Sequence, residues 1–293
     1  MTFGPSSPWR LLDRSTFRVP SCAGSSKMSQ FPSINALPPG IHGIEMQSIA
    51  TDAGPLWFPL ADHVMRDHIR SSGTWEPEIG QILCELFPDR GGTFVDVGAN
   101  VGYFSALIAN RFPEATIHAF EPHPLTYQVL QLNVWRFDSR VKTYPWAASE
   151  ERSTVALVTS QNNLGDTKGL AASNHLISST VAPSVRLDDV LADTTVDVVK
   201  IDVQGAEFAV LGGMSRLIER SRALRIVMEF SPDLMFAEHV DPRSVLEALR
   251  ERGFTIHQIR PDAFVEASDR EILNFCQSAG PMGQANLLLS LRK

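Results

Sequence analysis

The residues best suited to chemistry lie in one short turn, Asp96-Val97-Gly98-Ala99-Asn100-Val101-Gly102, where an apolar run gives way to a helical pattern. Glycines in such a turn let the backbone approach a ligand closely, and the start of the helix offers unpaired N–H groups. The dinucleotide fingerprint requires the spacing G-x-G-x-x-G, whereas Gly98 and Gly102 have three residues between them. Because an acid precedes the first Gly, the turn favours a cationic or hydroxyl-bearing ligand over an anionic phosphate.

A second acid stands at the end of the next predicted strand. Glu121 follows Gly102 by 19 residues, and an acid at that distance in a βαβ unit accepts hydrogen bonds from ribose hydroxyls. A ligand that carries a ribose but does not need the pyrophosphate pattern points to S-adenosylmethionine rather than NAD.

Two further acids, Asp202 and Glu229, each follow an apolar run that is typical of a buried strand. Open α/β sheets bind ligands at the carboxyl edge, so these side chains face one cleft if their strands are neighbours. Two such carboxylates could accept a proton, hold a hydroxylated substrate or bind a hard divalent cation. The alternative is a structural pair between one carboxylate and an arginine such as Arg225 or Arg260.

A third candidate for proton transfer is His175, which lies in residues 159–184. This stretch is predicted to be an irregular loop that gates the substrate site. A loop histidine can serve as a general base, although a solvated surface position is its commoner use. The candidate catalytic residues are therefore Asp202, Glu229 and His175.

Strand and helix patterns alternate from residue 93 onwards, which is typical of a doubly wound α/β sheet with helices on both faces. Buried parallel strands form near-continuous apolar runs. Such runs occur at residues 93–97, 115–120, 141–144, 196–201, 224–230 and 285–291, and helices are predicted over 103–111 and about 125–135. This alternation places each candidate acid at a strand end.

Two segments precede this domain of residues 91–293. Residues 1–40 contain 17 Ser, Pro and Gly residues and carry a net charge of +3, which predicts a disordered tail, with an organellar targeting peptide as the alternative. Residues 41–90 combine two short strand patterns with a helix after Pro77, and are predicted to be a small unit that covers the substrate side.

Composition excludes several classes of partner. The chain has 293 residues and a formal net charge of −7, without a dense Lys/Arg cluster, which disfavours nucleic acid as a partner. No apolar run is long enough to span a membrane. Three widely spaced cysteines, without a C-x-x-C motif, favour a reducing compartment and predict a cytoplasmic protein.

Four segments taken together resemble the FkbM-type methyltransferases: FVDVGANVGYFS, AFEPHP, VRLDDVL and VKIDVQGAEFAVLGG. The resemblance covers residues 92–260. It implies a Rossmann-like seven-stranded sheet, S-adenosylmethionine as cofactor, and O-methylation of a hydroxyl on a small molecule, a glycan or a secondary metabolite. A divalent metal ion stays open as an additional cofactor.

The resemblance also implies roles for individual residues. Glu121 would bind the ribose and Asp202 would line the reaction cleft. The candidate cofactor-binding residues are Asp96, Gly98, Ala99, Asn100, Gly102, Glu121 and Pro122. Gln204 departs from the family, which usually has Glu at this position, so a catalytically silent binding or regulatory protein is the alternative. An NAD-dependent oxidoreductase is a weaker alternative because the middle glycine of the dinucleotide fingerprint is missing.

Overall fold

The structure is a computed structural model that describes residues 44–159, 167–169, 178–221, 223–261 and 263–291. Its strands are β1 (Met46–Thr51), β2 (Gly54–Pro59), β3 (Thr93–Val97), β4 (Thr116–Phe120), β5 (Val141–Tyr144), β6 (Ala147–Ala148), β7 (Ser153–Thr159), β8 (Thr167–Gly169), β9 (Ser178–Val185), β10 (Val198–Ile201), β11 (Arg225–Phe230), β12 (Phe254–Arg260), β13 (Ala263–Glu266) and β14 (Ala285–Leu291). Its helices are α1 (His63–Ser72), α2 (Pro77–Leu86), α3 (Tyr103–Arg111), α4 (Pro124–Val134), α5 (Leu187–Val190), α6 (Glu207–Gly212), α7 (Ser215–Arg220), α8 (Pro232–Ala237), α9 (Pro242–Glu251) and α10 (Asp269–Ser278), with a 3-10 helix at Trp135–Arg140.

A central sheet of eight strands carries the fold in the order β13-β12-β14-β11-β10-β3-β4-β5. The strands from β11 to β5 pair in parallel, whereas β14, β12 and β13 pair antiparallel. The predicted doubly wound sheet is confirmed, with the short edge strand β13 added to the seven expected strands. None of the helices in the described ranges combines the length and apolarity that a bilayer-spanning helix needs.

Alternation along the central strands divides the core between two faces of the sheet. Phe94 and Val198 pack on the face that α2, α3 and α4 cover, which we call the first face. Val95 and Val199 pack on the opposite face, beneath α6, α7 and α9. Successive strand residues point to opposite faces, so burial of both faces requires the continuous apolar runs seen in the sequence.

The segment before β3 packs onto the first face. The β1–β2 hairpin contributes Ile49 and Leu56 to the same hydrophobic cluster as α3 and α4. Buried Asn133 of α4 fastens this hairpin, because its Oδ1 accepts from the Trp57 N–H at 2.7 Å and its Nδ2 donates to the carbonyls of Trp57 (3.0 Å) and Val101 (2.8 Å). The division into residues 1–40, 41–90 and 91–293 stays a prediction.

A second, four-stranded sheet has the order β6-β9-β7-β8. The prediction of an irregular loop over residues 159–184 is therefore wrong where β8 and β9 lie. Strand β9 pairs antiparallel with β7 along its length, and its residues from Val181 to Ser184 alternate between exposed and buried. This alternation of burial is that of a strand with one covered face, although the sequence carries no matching alternation of apolar and polar residues, since Val181 is exposed and Ser184 is buried. Residues 160–166 and 170–177, including His175, lie outside the described residues.

Candidate active site

The turn after β3 is pressed against two neighbouring strand ends. Its backbone has positive φ at Gly98 (76°), Asn100 (50°) and Gly102 (87°). The Gly98 N–H donates to the carbonyl of Phe120 at 3.0 Å. A Cβ at Gly98 would lie 1.9 Å from the carbonyl oxygen of Asp202, which no side chain could tolerate without moving the backbone. Only glycine therefore lets the turn sit between the ends of β4 and β10.

Asp96 lies beneath this turn and is fully buried. Its Oδ2 accepts a hydrogen bond from Ser105 Oγ at 2.7 Å, whereas Oδ1 has no hydrogen-bond partner within the described ranges. Burial raises the pKa of Asp96, and the nearby Lys200 ammonium opposes that rise. Asp96 supports the turn from below and does not line the cavity described next.

A cavity of about 350 Å³ opens above the turn. Five of the sequence-predicted site residues line it: Gly98, Asn100, Glu121, Pro122 and Asp202. Its remaining lining residues are Val97, Phe120, Trp146, Ala147, Ala148, Ser149, Val155, Ala156, Leu157, Val203, Gln204, Ala206, Phe208, Ala209 and Glu238. Ala99 and Gly102 shape the turn without lining the cavity.

Glu121 joins the end of β4 to the turn. Its Oε2 accepts from the Asn100 N–H and its Oε1 accepts from the His123 N–H, both at 2.9 Å. Burial raises the pKa of Glu121 to about 7 against the effect of these two donors. Each carboxylate oxygen has a second lone pair, so Glu121 can still accept hydroxyl donors from a ligand in the cavity.

An aromatic group forms one side of the cavity. The rings of Phe120 and Tyr144 stack with centroids 4.5 Å apart, and Tyr144 contacts Trp146 at 5.4 Å. Phe120, Trp146 and Phe208 reach the cavity surface. This wall suits the flat face of a purine, and motif spacing gave no sign of it because it comes from three separate elements.

The structure brings Asp202 and Glu229 together. Strands β10 and β11 are paired up to Ile201 and Met228, so the two acids follow as next residues of neighbouring strands. The Nε2 of Gln204 donates to Asp202 Oδ1 at 3.0 Å and to Glu229 Oε1 at 2.7 Å. One amide group therefore bridges both carboxylates, and neither is paired with Arg225 or Arg260 in the described contacts.

Lys200 is a site residue that sequence reasoning missed. Its Nζ lies 3.0 Å from Asp202 Oδ2 and 5.0 Å from the ring centroid of Phe104. Burial alone would lower the pKa of Lys200, but Asp202, Asp96 and Glu76 together raise it above its usual range. The ammonium group therefore stays charged. The available signal was a lysine inside the otherwise apolar run of β10, where an unpaired charge would be costly.

Glu229 is enclosed by hydrogen-bond donors. Besides Gln204, its carboxylate accepts from Ser231 Oγ at 3.3 Å and from Gln284 Nε2 at 2.6 Å. Burial raises the pKa of Glu229 to about 9, and the neighbouring carboxylates of Asp202, Glu76 and Glu207 add to the rise. Its side chain does not line the cavity, so Gln204 separates it from that space.

Two more carboxylates, those of Glu207 and Glu76, lie near Asp202 and Glu229. Glu207 opens α6, where a negative charge suits the helix start, and its Oε1 accepts from the Gly205 N–H at 2.9 Å. Glu76 precedes Pro77 at the start of α2, and burial followed by the charge of Asp202 raises its pKa to about 7. Sequence reasoning missed Glu76 because no motif spacing connects it with Asp202, which lies 126 residues later in the chain.

In the described part of the chain, no group of three or more His, Cys, Asp or Glu side chains is placed to hold a metal ion. The carboxylates above instead face Lys200, Gln204 and Gln284. Most of the hydrogen-bond donors to Asp202 and Glu229 are thus nitrogen groups.

The family described as the methyltransferase FkbM domain matches residues 96–256, which is more than half of the chain. Methyltransferase sdnD of Sordaria araneosa is 30% identical over 211 residues, covering 58% of this chain and 78% of the relative. The 31-O-demethyl-FK506 methyltransferase FkbM of Streptomyces tacrolimicus is 26% identical over 216 residues, covering 59% and 80%. A solved structure, precorrin-6y C5,15-methyltransferase of Geobacter metallireducens, aligns at a TM-score of 0.43 and 12% identity, covering 75% of this chain and 90% of that one.

Proposed function

The chain belongs to the FkbM methyltransferase family, and on that premise we propose that it uses S-adenosylmethionine to methylate a hydroxyl group. The acceptor is a small molecule, a glycan or a secondary metabolite. The observation that carries the proposal is the cavity of about 350 Å³ in which the Gly98 turn, Glu121 and Asp202 converge. The Streptomyces relative is by name a methyltransferase for 31-O-demethyl-FK506, which supports oxygen as the methylated atom.

The charge of the cavity wall supports this cofactor over a dinucleotide. Three of the described lining residues are acids: Glu121, Asp202 and Glu238. The described lining contains no Lys, Arg or His. Such a wall attracts a cationic ligand and would repel the pyrophosphate of NAD. The buried Oε1 of Glu238 has no hydrogen-bond partner within the described ranges, so it can accept from a ligand amine or hydroxyl.

Each part of the site has a task in this proposal. Glu121 would accept the ribose hydroxyls, and Phe120 and Trp146 would pack against the base. When bound, S-adenosylmethionine supplies a methyl group that its positively charged sulfur has already activated. Asp202, fixed by Lys200 and Gln204, would orient the acceptor at the carboxyl edge of β10. Holding the acceptor oxygen in line is the main contribution that the protein can make to such a transfer.

Calorimetric titration with S-adenosylmethionine, S-adenosylhomocysteine and NAD tests the cofactor. We expect both sulfur ligands to bind and NAD not to bind. Glu121→Ala should lose this affinity, while Glu247→Ala, an exposed acid of α9, should keep it. The wild-type protein, if it bound neither sulfur ligand, would not be an S-adenosylmethionine-dependent enzyme.

Turnover is tested separately by measuring S-adenosylhomocysteine formation with a panel of hydroxylated small molecules and glycans. Methylation of a hydroxyl in the panel supports the proposal. Binding of the cofactor without turnover on any acceptor class would favour the catalytically silent alternative.

A further inference from the structure

We propose that Glu76 is the catalytic base of this site: its carboxylate accepts the proton of the acceptor hydroxyl. The inference rests on the proposed function, because it assigns a task within the same transfer. It also places the acceptor against the segment before β3, between α2 and the carboxyl ends of β10 and β11.

The register of the central strands puts Glu76 beside the right part of the sheet. Asp96 and Lys200 are cross-strand partners, and both point to the first face, as their contacts with Ser105 and Phe104 of α3 show. Helix α2 packs on this same face, with Ile79 and Leu83 in its core. Glu76 stands at the start of that helix, and its strongest charge interactions are with Asp202 and then Lys200.

The other carboxylates at this edge are already occupied. Asp202 accepts from Lys200 and Gln204. Glu229 accepts from Gln204, Ser231 and Gln284. By contrast, the Glu76 carboxylate accepts no hydrogen bond within the described residues, so its lone pairs remain open to an incoming hydroxyl. Glu76 does not itself line the cavity of about 350 Å³, so the acceptor would lie between that cavity and the start of α2. A base needs such a free acceptor within reach of the proton it removes.

The backbone of Glu76 supports a functional placement. Six non-glycine residues of the described chain have positive φ, and three of them, Glu76 (43°), Asn100 (50°) and Gln204 (56°), belong to this site. Such conformations are unfavourable for non-glycine residues and concentrate at functional sites. The Glu76 carbonyl accepts from the N–H groups of Ile79 (2.9 Å) and Gly80 (3.1 Å), which fixes the strained residue to the first turn of α2.

The charges that face Glu76 suit proton uptake near neutrality. Burial, Asp202 and Glu78 raise the pKa of Glu76, Lys200 lowers it, and the result is about 7. Glu229 of β11 is also close enough that the charge of Glu76 raises the pKa of Glu229. In the transfer, the hydroxyl oxygen forms the new O–C bond and its proton passes to Glu76. The broken C–S bond leaves its electron pair on sulfur, which neutralises the sulfonium, so atoms and charges balance.

The test uses the full chain labelled with [13Cδ]glutamate and saturated with S-adenosylhomocysteine. We expect one carboxyl resonance, identified by its loss in Glu76→Gln, to titrate with a midpoint near 7. Glu85→Gln, an exposed position on the same helix, is the control and should leave that resonance in place. The affinity of Glu76→Gln for S-adenosylhomocysteine should stay within about twofold of wild type. On the hydroxyl acceptor from the turnover panel, kcat should fall about 10²–10⁴-fold and its acid limb should disappear.

Three results would overturn the assignment: a Glu76 resonance that stays ionised down to pH 5, a kcat within about threefold of wild type in Glu76→Gln, or loss of S-adenosylhomocysteine binding in that variant alone. The last result would place Glu76 in the cofactor site. Failure of the wild-type protein to bind the ligand would instead reject the proposed function, so the two failures are distinguishable.

Discussion

Replacing Gly98 by alanine is the sharpest test of the site's geometry. The new Cβ would lie 1.9 Å from the carbonyl oxygen of Asp202, in a backbone with φ of +76°. The obstacle is backbone at the end of β10, so it cannot rotate away as a side chain would. Gly73 offers a matched control, since its φ is +77° and nothing lies within 4 Å of its added Cβ.

The expected loss of stability has two parts, the cost of a positive φ for alanine and the clash of its Cβ with the Asp202 carbonyl oxygen. An alanine at positive φ costs about 1–2 kcal/mol, and both variants carry this cost. Overpacking against fixed atoms adds about 1–3 kcal/mol, and Gly98→Ala alone carries it. We therefore expect Gly73→Ala to lower the free energy of unfolding by about 1–2 kcal/mol and Gly98→Ala by about 2–5 kcal/mol.

Urea unfolding followed by tryptophan fluorescence measures both values, with equal m-values as the check that the unfolding transition is the same. S-adenosylhomocysteine affinity, measured by calorimetry, should fall at least about tenfold in Gly98→Ala and stay unchanged in Gly73→Ala, because only the first variant moves the turn. Equal destabilisation in the two variants would show that the turn is not held against β10, and would refute the reasoning.

Two further predictions concern the same site, and a third concerns the β1–β2 hairpin. Ribose hydroxyls bind the ionised form of Glu121, and burial raises the pKa of Glu121 to about 7. The affinity for S-adenosylhomocysteine, measured by calorimetry, should therefore weaken about tenfold per pH unit below 7. Glu121→Gln should show no pH dependence of this affinity, and a flat profile in the wild-type protein would contradict ribose binding by ionised Glu121. Gln204→Glu replaces the amide that donates to Asp202 and Glu229 by an acidic group beside Asp202, so it should destabilise the protein by about 2–4 kcal/mol at pH 8. The new carboxyl has a pKa raised above its unfolded value, so this loss should shrink at pH 5.5, and a pH-independent loss argues against charge repulsion. Asn133→Ala removes the partner of three backbone groups, the N–H and carbonyl of Trp57 and the carbonyl of Val101. It should lower the free energy of unfolding in urea by about 3 kcal/mol. Gln131→Ala, at an exposed position of the same helix, is the control and should lower it by less than about 0.5 kcal/mol.

Several features could be predicted because their signals are local. The strand at 93–97 and the helix at 103–111 were expected with the bounds that β3 and α3 have. Continuous apolar runs mark strands that are buried on both faces, and glycine spacing marks a tight turn, whatever the rest of the chain does. The position of Glu121 at a strand end followed in the same way.

Other features depend on contacts that the sequence does not display. Strand β9 was expected to be loop because its residues, SSTVAPSV, are rich in Ser and Pro and do not alternate between apolar and polar, and pairing with β7 determines its conformation. Lys200 was overlooked for a related reason: a buried lysine is stable only beside its carboxylate partners. Asp202 follows the same strand, but Asp96 and Glu76 come from other elements that only the fold brings close.

The sequence by itself determined the family, the parallel core and the turn that lines the cavity, since each of these is written in neighbouring residues. Tertiary structure decided which acids share a site. Pairing of β10 with β11 brings Asp202 next to Glu229, and Gln204, whose backbone has a positive φ, bridges them. Packing of α2 on the first face brings Glu76 to the same edge from more than a hundred residues upstream. Strand order and helix packing depend on how the whole chain buries its apolar surface, so no local pattern could have predicted this group.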